Sequence, residues 1–145
     1  MKKILVYTDG SCKQNPGKGG WSCILFLQGL KKKIHGNYAL CTNNQMELLG
    51  TIYALKYLKK PSEIKIITDS KYVKEGINCW IHLWKYNKLF YIKFPEFKKN
   101  KLLWRTLYKI CKKKKHSISW YWIKSHYLNK YNIKTDFLSK KSWES

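Results

Sequence analysis

The sequence predicts a single α/β domain, residues 1–145, built on a five-stranded mixed sheet, and three observations predict it. The chain of 145 residues, with 44% apolar and 16% aromatic side chains, has material for one core and too little for two. Its first forty residues hold three strand-like runs parted by turn residues. After them strand-like and helical runs alternate, and a strand, helix, strand order forces a parallel crossover.

Ile4 to Thr8, Trp21 to Leu27 and Lys33 to Tyr38 read as an antiparallel meander, turning through the run from Asn15-Pro16-Gly17 to Gly20 and around Gly29. Thr42-Asn43-Asn44 can cap a helix, and Met46, Leu49, Ile52, Tyr53 and Leu55 then recur at helical spacing until Pro61. Glu63 to Thr68, with β-branched Ile64, Ile66 and Ile67, reads as the fourth strand. A helical stretch opens near Ser70, and a second follows past Gly76 with Trp80, Ile81 and Trp84. Tyr86 to Lys101 reads as irregular and lysine-rich, Leu102 to Cys111 as a helix, and Ile118 to Ile123 as the last strand with Trp120 and Trp122 on one face. A final helix is expected from about Asn132 to Lys141.

Composition narrows the function classes. The formal charge of +22 suits a polyanion, because lysines over phosphates release counterions. Only Arg105 among the thirty basic residues is arginine, and the chain is also rich in Ile, Asn, Tyr and Phe, a mix that AT-rich codons produce without selection for binding. Five cysteines, Cys12, Cys23, Cys41, Cys79 and Cys111, make an odd set with no CxxC, against a disulfide framework or a thiolate zinc site. The opening apolar run Ile4-Leu5-Val6-Tyr7 is too short for a secretory segment, and nothing approaches a spanning run of about 18 apolar residues. A soluble, cytoplasmic chain without a membrane partner is expected.

The chain has only three aspartates: Asp9 closes the first strand, Asp69 the fourth, and Asp136 lies in the last helix. If the fourth strand lies parallel beside the first, Asp9 and Asp69 project from neighbouring C-terminal ends, where open α/β sheets bind ligands. Glu47, early in the intervening helix, can reach the same edge. Converging carboxylates repel unless a hard divalent cation neutralises them, so magnesium is the natural occupant, as one ion or two, with manganese as a substitute. Each acid also has an ordinary reading: Asp9 as a turn residue, Asp69 as a helix cap, Glu47 and Asp136 as solvated helical charges.

The runs Tyr7-Thr8-Asp9-Gly10-Ser11, Asn15-Pro16-Gly17, Thr42 to Leu48 (TNNQMEL), Thr68-Asp69-Ser70-Lys71-Tyr72-Val73 and Trp80 to Trp84 (WIHLW) resemble, in order and spacing, type 1 ribonuclease H of the bacterial kind. The resemblance spans nearly the whole chain. It implies a ribonuclease H-like mixed sheet and an endoribonuclease that cuts the RNA strand of an RNA/DNA hybrid, leaving 5′-phosphate and 3′-hydroxyl ends. It implies that Asp9, Glu47, Asp69 and Asp136 bind the metal, and that His126 matches the family's catalytic histidine. A histidine there can move protons near neutral pH. The loop departs from the family pattern, with Ser125 and Leu128 in place of glycines and Ile133 and Phe137 in place of acidic neighbours.

For the hybrid, Asn15, Asn43, Asn44 and Gln45 offer amides beside the acids, to touch the minor groove and its 2′-hydroxyls, and their ordinary roles are turns and caps. Trp80 and Trp84, four residues apart, with Lys85 and Lys88 after them, match the family's basic handle for the DNA strand. His35, His82 and His116 are read as surface or packing residues. Other readings are a noncatalytic nucleic-acid-binding module of the same fold, another nuclease of the superfamily, and a structural basic protein. Only the first of these competes, and the full carboxylate set speaks against it. With the first strand so near residue 1, no preceding hybrid-binding domain is expected, and a monomer is expected.

Overall fold

The structure, a computed structural model, describes residues 2–80 and 95–124. Its sheet has five strands in the order β3-β2-β1-β4-β5. β1 (Lys2–Cys12), β2 (Gly17–Leu27) and β3 (Leu30–Cys41) form the antiparallel meander. β4 (Ser62–Thr68) lies parallel to β1, and β5 (Ser117–Trp122) parallel to β4. The predicted fold is the observed one.

β1 is the central strand, and its burial follows from that. Val6 to Gly10 is buried without a break, because β2 and β4 flank it and helices cover a face. β3 and β5 are the outer strands; β3 is mostly exposed, and β5 alternates between half-buried Ile118, Trp120 and Trp122 and exposed Ser119 and Tyr121. The tryptophans do share a face.

α1 (Asn43–Tyr57) packs against β1 and β2. Leu48, Ile52 and Leu55 are buried with Val6, Leu25, Ile64 and Ile66 of the sheet. α4 (Lys101–Lys113) closes on α1 with Trp104 and Leu107. Between them run α2 (Lys71–Glu75), a π-helical turn (Gly76–Trp80) and α3 (Pro95–Lys98). No helix among the described residues is long and apolar enough to cross a membrane.

Several boundaries differ from the sequence reading. Gly17 to Gly20 belongs to β2 rather than to the turn; the turn closes where the Lys13 amide donates to the Lys18 carbonyl at 2.8 Å. A Cβ at Gly19 would meet the sulfurs of Cys41 and Cys12 at 2.3 and 2.7 Å, so this glycine serves close approach within the sheet. Gly76 does not break the helical backbone, because its amide donates back to the Tyr72 and Val73 carbonyls. Pro95–Lys98, read as irregular, is a short helix, with the Asn100 amide donating to the Phe97 carbonyl at 3.2 Å. The final helix expected near 132–141 lies outside the described residues.

The end of α1 is closed from another part of the chain. The ammonium of Lys114 donates to the carbonyls of Leu55, Lys56 and Leu58, each at 3.1 Å. These are the acceptors a helix leaves unpaired in its last turn. Nearby, Nδ1 of His116 accepts from the Ser62 amide at 3.0 Å, which ties the start of β4 and gives this histidine the packing role read for it.

Candidate functional site

The β1–β4 register pairs Tyr7 with Ile67. Two residues further along each strand stand Asp9 and Asp69, so the parallel crossover brings both to one end of the sheet. The ordinary readings of three acids do not describe this arrangement. Asp9 starts no turn: it lies within β1, paired with Ser22, and is 4% exposed. Asp69 caps no helix, because the Ser70 hydroxyl does so, accepting from the Val73 amide at 3.1 Å. Glu47 does not face solvent on α1; its carboxylate accepts from the Ser70 hydroxyl at 2.5 Å.

Glycine sets how near α1 comes to these acids. A Cβ at Gly10 would lie 2.2 Å from the Met46 carbonyl carbon and 2.4 Å from the Glu47 nitrogen. From the helix side, a Cβ at Gly50 would lie 3.0 Å from the Asp9 carbonyl oxygen. The helix therefore rests directly on the backbone of β1, and Glu47 arrives at the strand end with it. Burial then pushes the Glu47 carboxyl up to about 7, opposed by the Ser70 hydroxyl and reinforced by the negative charge of Asp69.

A chain of hydrogen bonds holds the turn after β4. The Trp122 indole N–H donates to the Asp69 carbonyl at 2.9 Å, the Ile123 amide to the Thr68 carbonyl at 3.0 Å, and the Ser70 amide to the Thr68 hydroxyl at 3.1 Å. Ser70 thus joins the β4 turn, the α2 cap and Glu47 through one residue. Sequence reasoning left out both Ser70 and Trp122 as site residues. The serine had a signal, since it follows Asp69 at a helix start; the tryptophan had none, because β5 reaches the turn only through sheet pairing.

The donor set fits a hard cation. Asp9, Glu47 and Asp69 offer carboxylate oxygens, and Oδ2 of Asp9 is buried without a hydrogen bond among the described residues. As the side chains stand, no three His, Cys, Asp or Glu among the described residues are gathered closely enough to hold an ion. Like charges repel, and Glu47 is drawn to the Ser70 hydroxyl instead. Asp136 and His126 lie outside the described residues.

The amides meet beside this edge. The Asn43 side-chain oxygen accepts from the Cys12 amide at 2.8 Å, and the Asn15 oxygen accepts from the Asn43 amide at 3.2 Å, which ties the end of β1, the turn after it and the start of α1 together. The helix cap is Thr42, not Asn43. Its hydroxyl accepts from the Gln45 amide at 3.2 Å, while the Gln45 side-chain oxygen accepts from the Thr42 amide at 2.9 Å, a reciprocal capping box. Asn44 sits in the same first turn, half-buried.

A groove of about 570 Å³ leads from Gln45 and Met46 to Lys98, Lys99 and Lys101, so part of the lysine-rich segment borders the amides. The ammonium groups of Lys74 and Lys71 lie 4.8 and 5.8 Å from the centre of the Trp122 ring, which brings positive charge beside the Asp69 turn. The backbone of Trp80 ends the π-helical turn, and Trp84, Lys85 and Lys88 lie outside the described residues.

With this geometry described, comparison with known proteins is specific. A family profile described as RNase H matches residues 1–144. A ribonuclease H of Ehrlichia ruminantium is 45% identical over 141 residues, covering 97% of this chain and 94% of that one. A ribonuclease H of Rickettsia bellii is 43% identical over 139 residues, covering 96% and 88%. Among solved structures, LC9-RNase H1, described as a type 1 RNase H with the type 2 active-site motif, superposes with a TM-score of 0.82 at 20% identity, over 99% of this chain and 73% of that one. LC11-RNase H1 in complex with RNA/DNA hybrid superposes with a TM-score of 0.74 at 19% identity, over 97% and 96%. These structural likenesses concern the fold.

Proposed function

The chain belongs to the RNase H family, and from that premise we propose that it is a metal-dependent endoribonuclease that hydrolyses the RNA strand of RNA/DNA hybrids to 5′-phosphate and 3′-hydroxyl ends. The observation that carries the reading is the meeting of Asp9, Asp69 and Glu47 at one end of the parallel β1–β4 pair. The sequence led us to expect these acids at one edge as ligands of a hard cation, and their shared end of the sheet supports that reading.

In this reaction a water oxygen bonds to phosphorus while the P–O3′ bond breaks and the 3′-oxygen leaves with a proton. Asp9, Glu47 and Asp69, with Asp136, would hold magnesium, or manganese in its place. When bound, one or two such ions supply charge to offset the developing negative oxygens and lower the pKa of a water. The chain's own work is to hold these acids in place. Gly10 and Gly50 admit α1 to the strand backbone, Ser70 positions the Glu47 carboxylate, and Trp122 with Ile123 clamps the turn that carries Asp69. His126 is the residue proposed to move the proton.

Hybrid recognition follows from which amide atoms are already used. Asn15, Asn43 and Gln45 spend their oxygens on backbone amides of the fold. What they retain is the NH₂ group, a donor suited to phosphate and 2′-hydroxyl oxygens. Asn44 adds a fourth amide in the same turn. Trp80, Trp84, Lys85 and Lys88 are proposed to grip the DNA strand by its backbone, which positions the duplex and reads no sequence. That LC11-RNase H1 was solved with an RNA/DNA hybrid supports the substrate class. We read residues 1–145 as one cytoplasmic domain acting as a monomer.

The deciding experiment is cleavage of a labelled RNA/DNA hybrid with and without magnesium, beside single-stranded RNA, RNA duplex and DNA duplex. Cutting confined to the hybrid RNA and dependent on the metal is the expected result. Tight hybrid binding with no cutting at any magnesium or manganese concentration would make the chain a binding module.

A further inference from the structure

We propose that Cys12 and Cys41 are an oxidisable pair, a modification site at which a low-molecular-weight disulfide closes a bond between the ends of β1 and β3 and so weakens the hold of the adjoining amides on the hybrid. The regulation rests on the hybrid reading above; the bond itself does not.

The two residues lie 29 positions apart, on strands that β2 separates, yet their sulfurs approach to 3.1 Å. Glycine allows it. Cys12 is paired with Gly19 of β2, and the Cβ that Gly19 lacks would lie 2.7 and 2.3 Å from the Cys12 and Cys41 sulfurs. Two thiols thus meet over the middle strand, in the space of one missing side chain. Both are free thiols. Closing 3.1 Å to the roughly 2.05 Å of a disulfide takes about 1 Å of movement.

Exposure divides the roles. Cys12 is half-buried and meets the oxidant first, whereas Cys41 is 3% exposed and its thiol is anchored by donating to the Gly17 carbonyl at 3.3 Å. In the first step the Cys12 sulfur attacks one sulfur of RSSR, gives a Cys12–S–S–R bond and expels one RSH. In the second, the Cys41 sulfur attacks the Cys12 sulfur and expels the other RSH. Two protein thiols are oxidised, one RSSR is reduced, and the two thiol protons end on the two RSH. Burial, and after it the hydrogen bond to Cys41, pushes the Cys12 thiol up to about 12, so attack is slow near neutral pH. A thiol of high pKa is also a slow leaving group, so the bond once made is slow to break. The pair answers sustained oxidation rather than a brief pulse.

The consequence for the hybrid follows from what the two cysteines carry. The Cys12 amide donates to the Asn43 side-chain oxygen at 2.8 Å, and the Asn43 amide donates to the Asn15 oxygen at 3.2 Å. Cys41 directly precedes Thr42, the cap of α1, and lines the groove beside Gln45. Drawing the two sulfurs together therefore shifts the stretches that place Asn15, Asn43 and Gln45.

The test incubates the whole chain with glutathione disulfide at mildly alkaline pH, maps the cross-link by peptide mass, and measures binding of a fluorescein-labelled RNA/DNA hybrid by anisotropy without divalent metal. A peptide pair joining Cys12 to Cys41 is expected. Hybrid affinity should fall at least about fivefold, the worth of one or two polar contacts, and return with dithiothreitol. Cys41→Ser should lose less than about twofold under the same treatment. No joined peptide, a joining of either residue to another cysteine, unchanged affinity in the joined chain, or an equal loss in Cys41→Ser, which would make capping of Cys12 alone the cause, would each overturn the proposal. Absence of cleavage by the reduced chain with magnesium would count against the catalytic reading alone, because cross-link and affinity are read without it.

Discussion

The two ends of the β1–β4 pair solve opposite electrostatic problems. At the C-terminal end, the strands deliver Asp9 and Asp69 to one edge and α1 adds Glu47, so like charges crowd and burial drives a carboxyl toward its neutral form. At the other end, positive charge collects. There the Lys114 ammonium is held by three carbonyls, and burial with the neighbouring Lys59 and Lys56 lowers its pKa. His116, beside it, is lowered too, first by burial and then by Lys114. The cation end is satisfied within the fold. At the anion end the Glu47 carboxylate accepts from the Ser70 hydroxyl while burial and the charge of Asp69 still raise its pKa, and a group perturbed in this way is where a ligand changes the energy most.

The largest break in this comparison comes from Asp69→Asn. Magnesium-dependent cleavage of the hybrid should fall on the order of a thousandfold, read as kcat/KM, while the thermal midpoint holds or rises because one repulsive charge has gone. A variant that loses activity only in step with its stability would place Asp69 in the structure rather than in the chemistry.

Gly10→Ala should come next, destabilising by about 3 kcal/mol or more in urea unfolding. The added methyl meets backbone atoms of α1 that cannot rotate away. Gly29→Ala at the far end provides the contrast. Its methyl meets nothing within 4 Å, and only the φ of 82° resists it, so about 1–2 kcal/mol is expected. Equal costs would mean that α1 does not rest on β1 as closely as described.

Lys114→Met should cost about 1–2 kcal/mol by releasing three carbonyls at the end of α1, with cleavage rates within about twofold of the parent. A large loss of activity would show that the two ends of α1 are coupled and that the cap serves Glu47.

The last effect is a slope. Glu47 titrates at about 7 in the folded chain against an ordinary value of 4.5, so between those pH values the folded state holds the proton more often than the unfolded one. Metal-free stability should therefore fall as pH rises from about 4.5 to 7, and Asp69→Asn should flatten that fall. Millimolar magnesium should flatten it as well, since a cation favours the ionised carboxylate. Denaturant midpoints at four or five pH values would check both.

Much of this was legible in the residues, and the gaps have physical causes. Placing β1, α1 and β4 in order sufficed to bring Asp9 and Asp69 together, because a parallel crossover leaves little freedom. The sequence showed Thr42 to Gln45 as a helix start but not that Thr42, rather than Asn43, makes the cap, a choice settled by the Cys12 amide that claims the Asn43 oxygen. The glycines from Gly17 to Gly20 looked like a turn because glycine marks both turns and close approaches. At Gly19 the cysteine sulfurs of two neighbouring strands decide it.

By itself the sequence determined the order and type of the five strands and of the helices that follow β3 and precede β5, the family, and which acids were available, since hydrophobic spacing, turn residues and motif words are local properties. Only the tertiary structure decided what each acid touches. The Ser70 hydroxyl on Glu47, the Trp122 indole on the Asp69 carbonyl and the Lys114 ammonium on α1 join residues 23, 53 and as many as 59 positions apart. Contacts of that separation leave no periodic mark along the chain, because they exist only once the sheet has brought its strands into register.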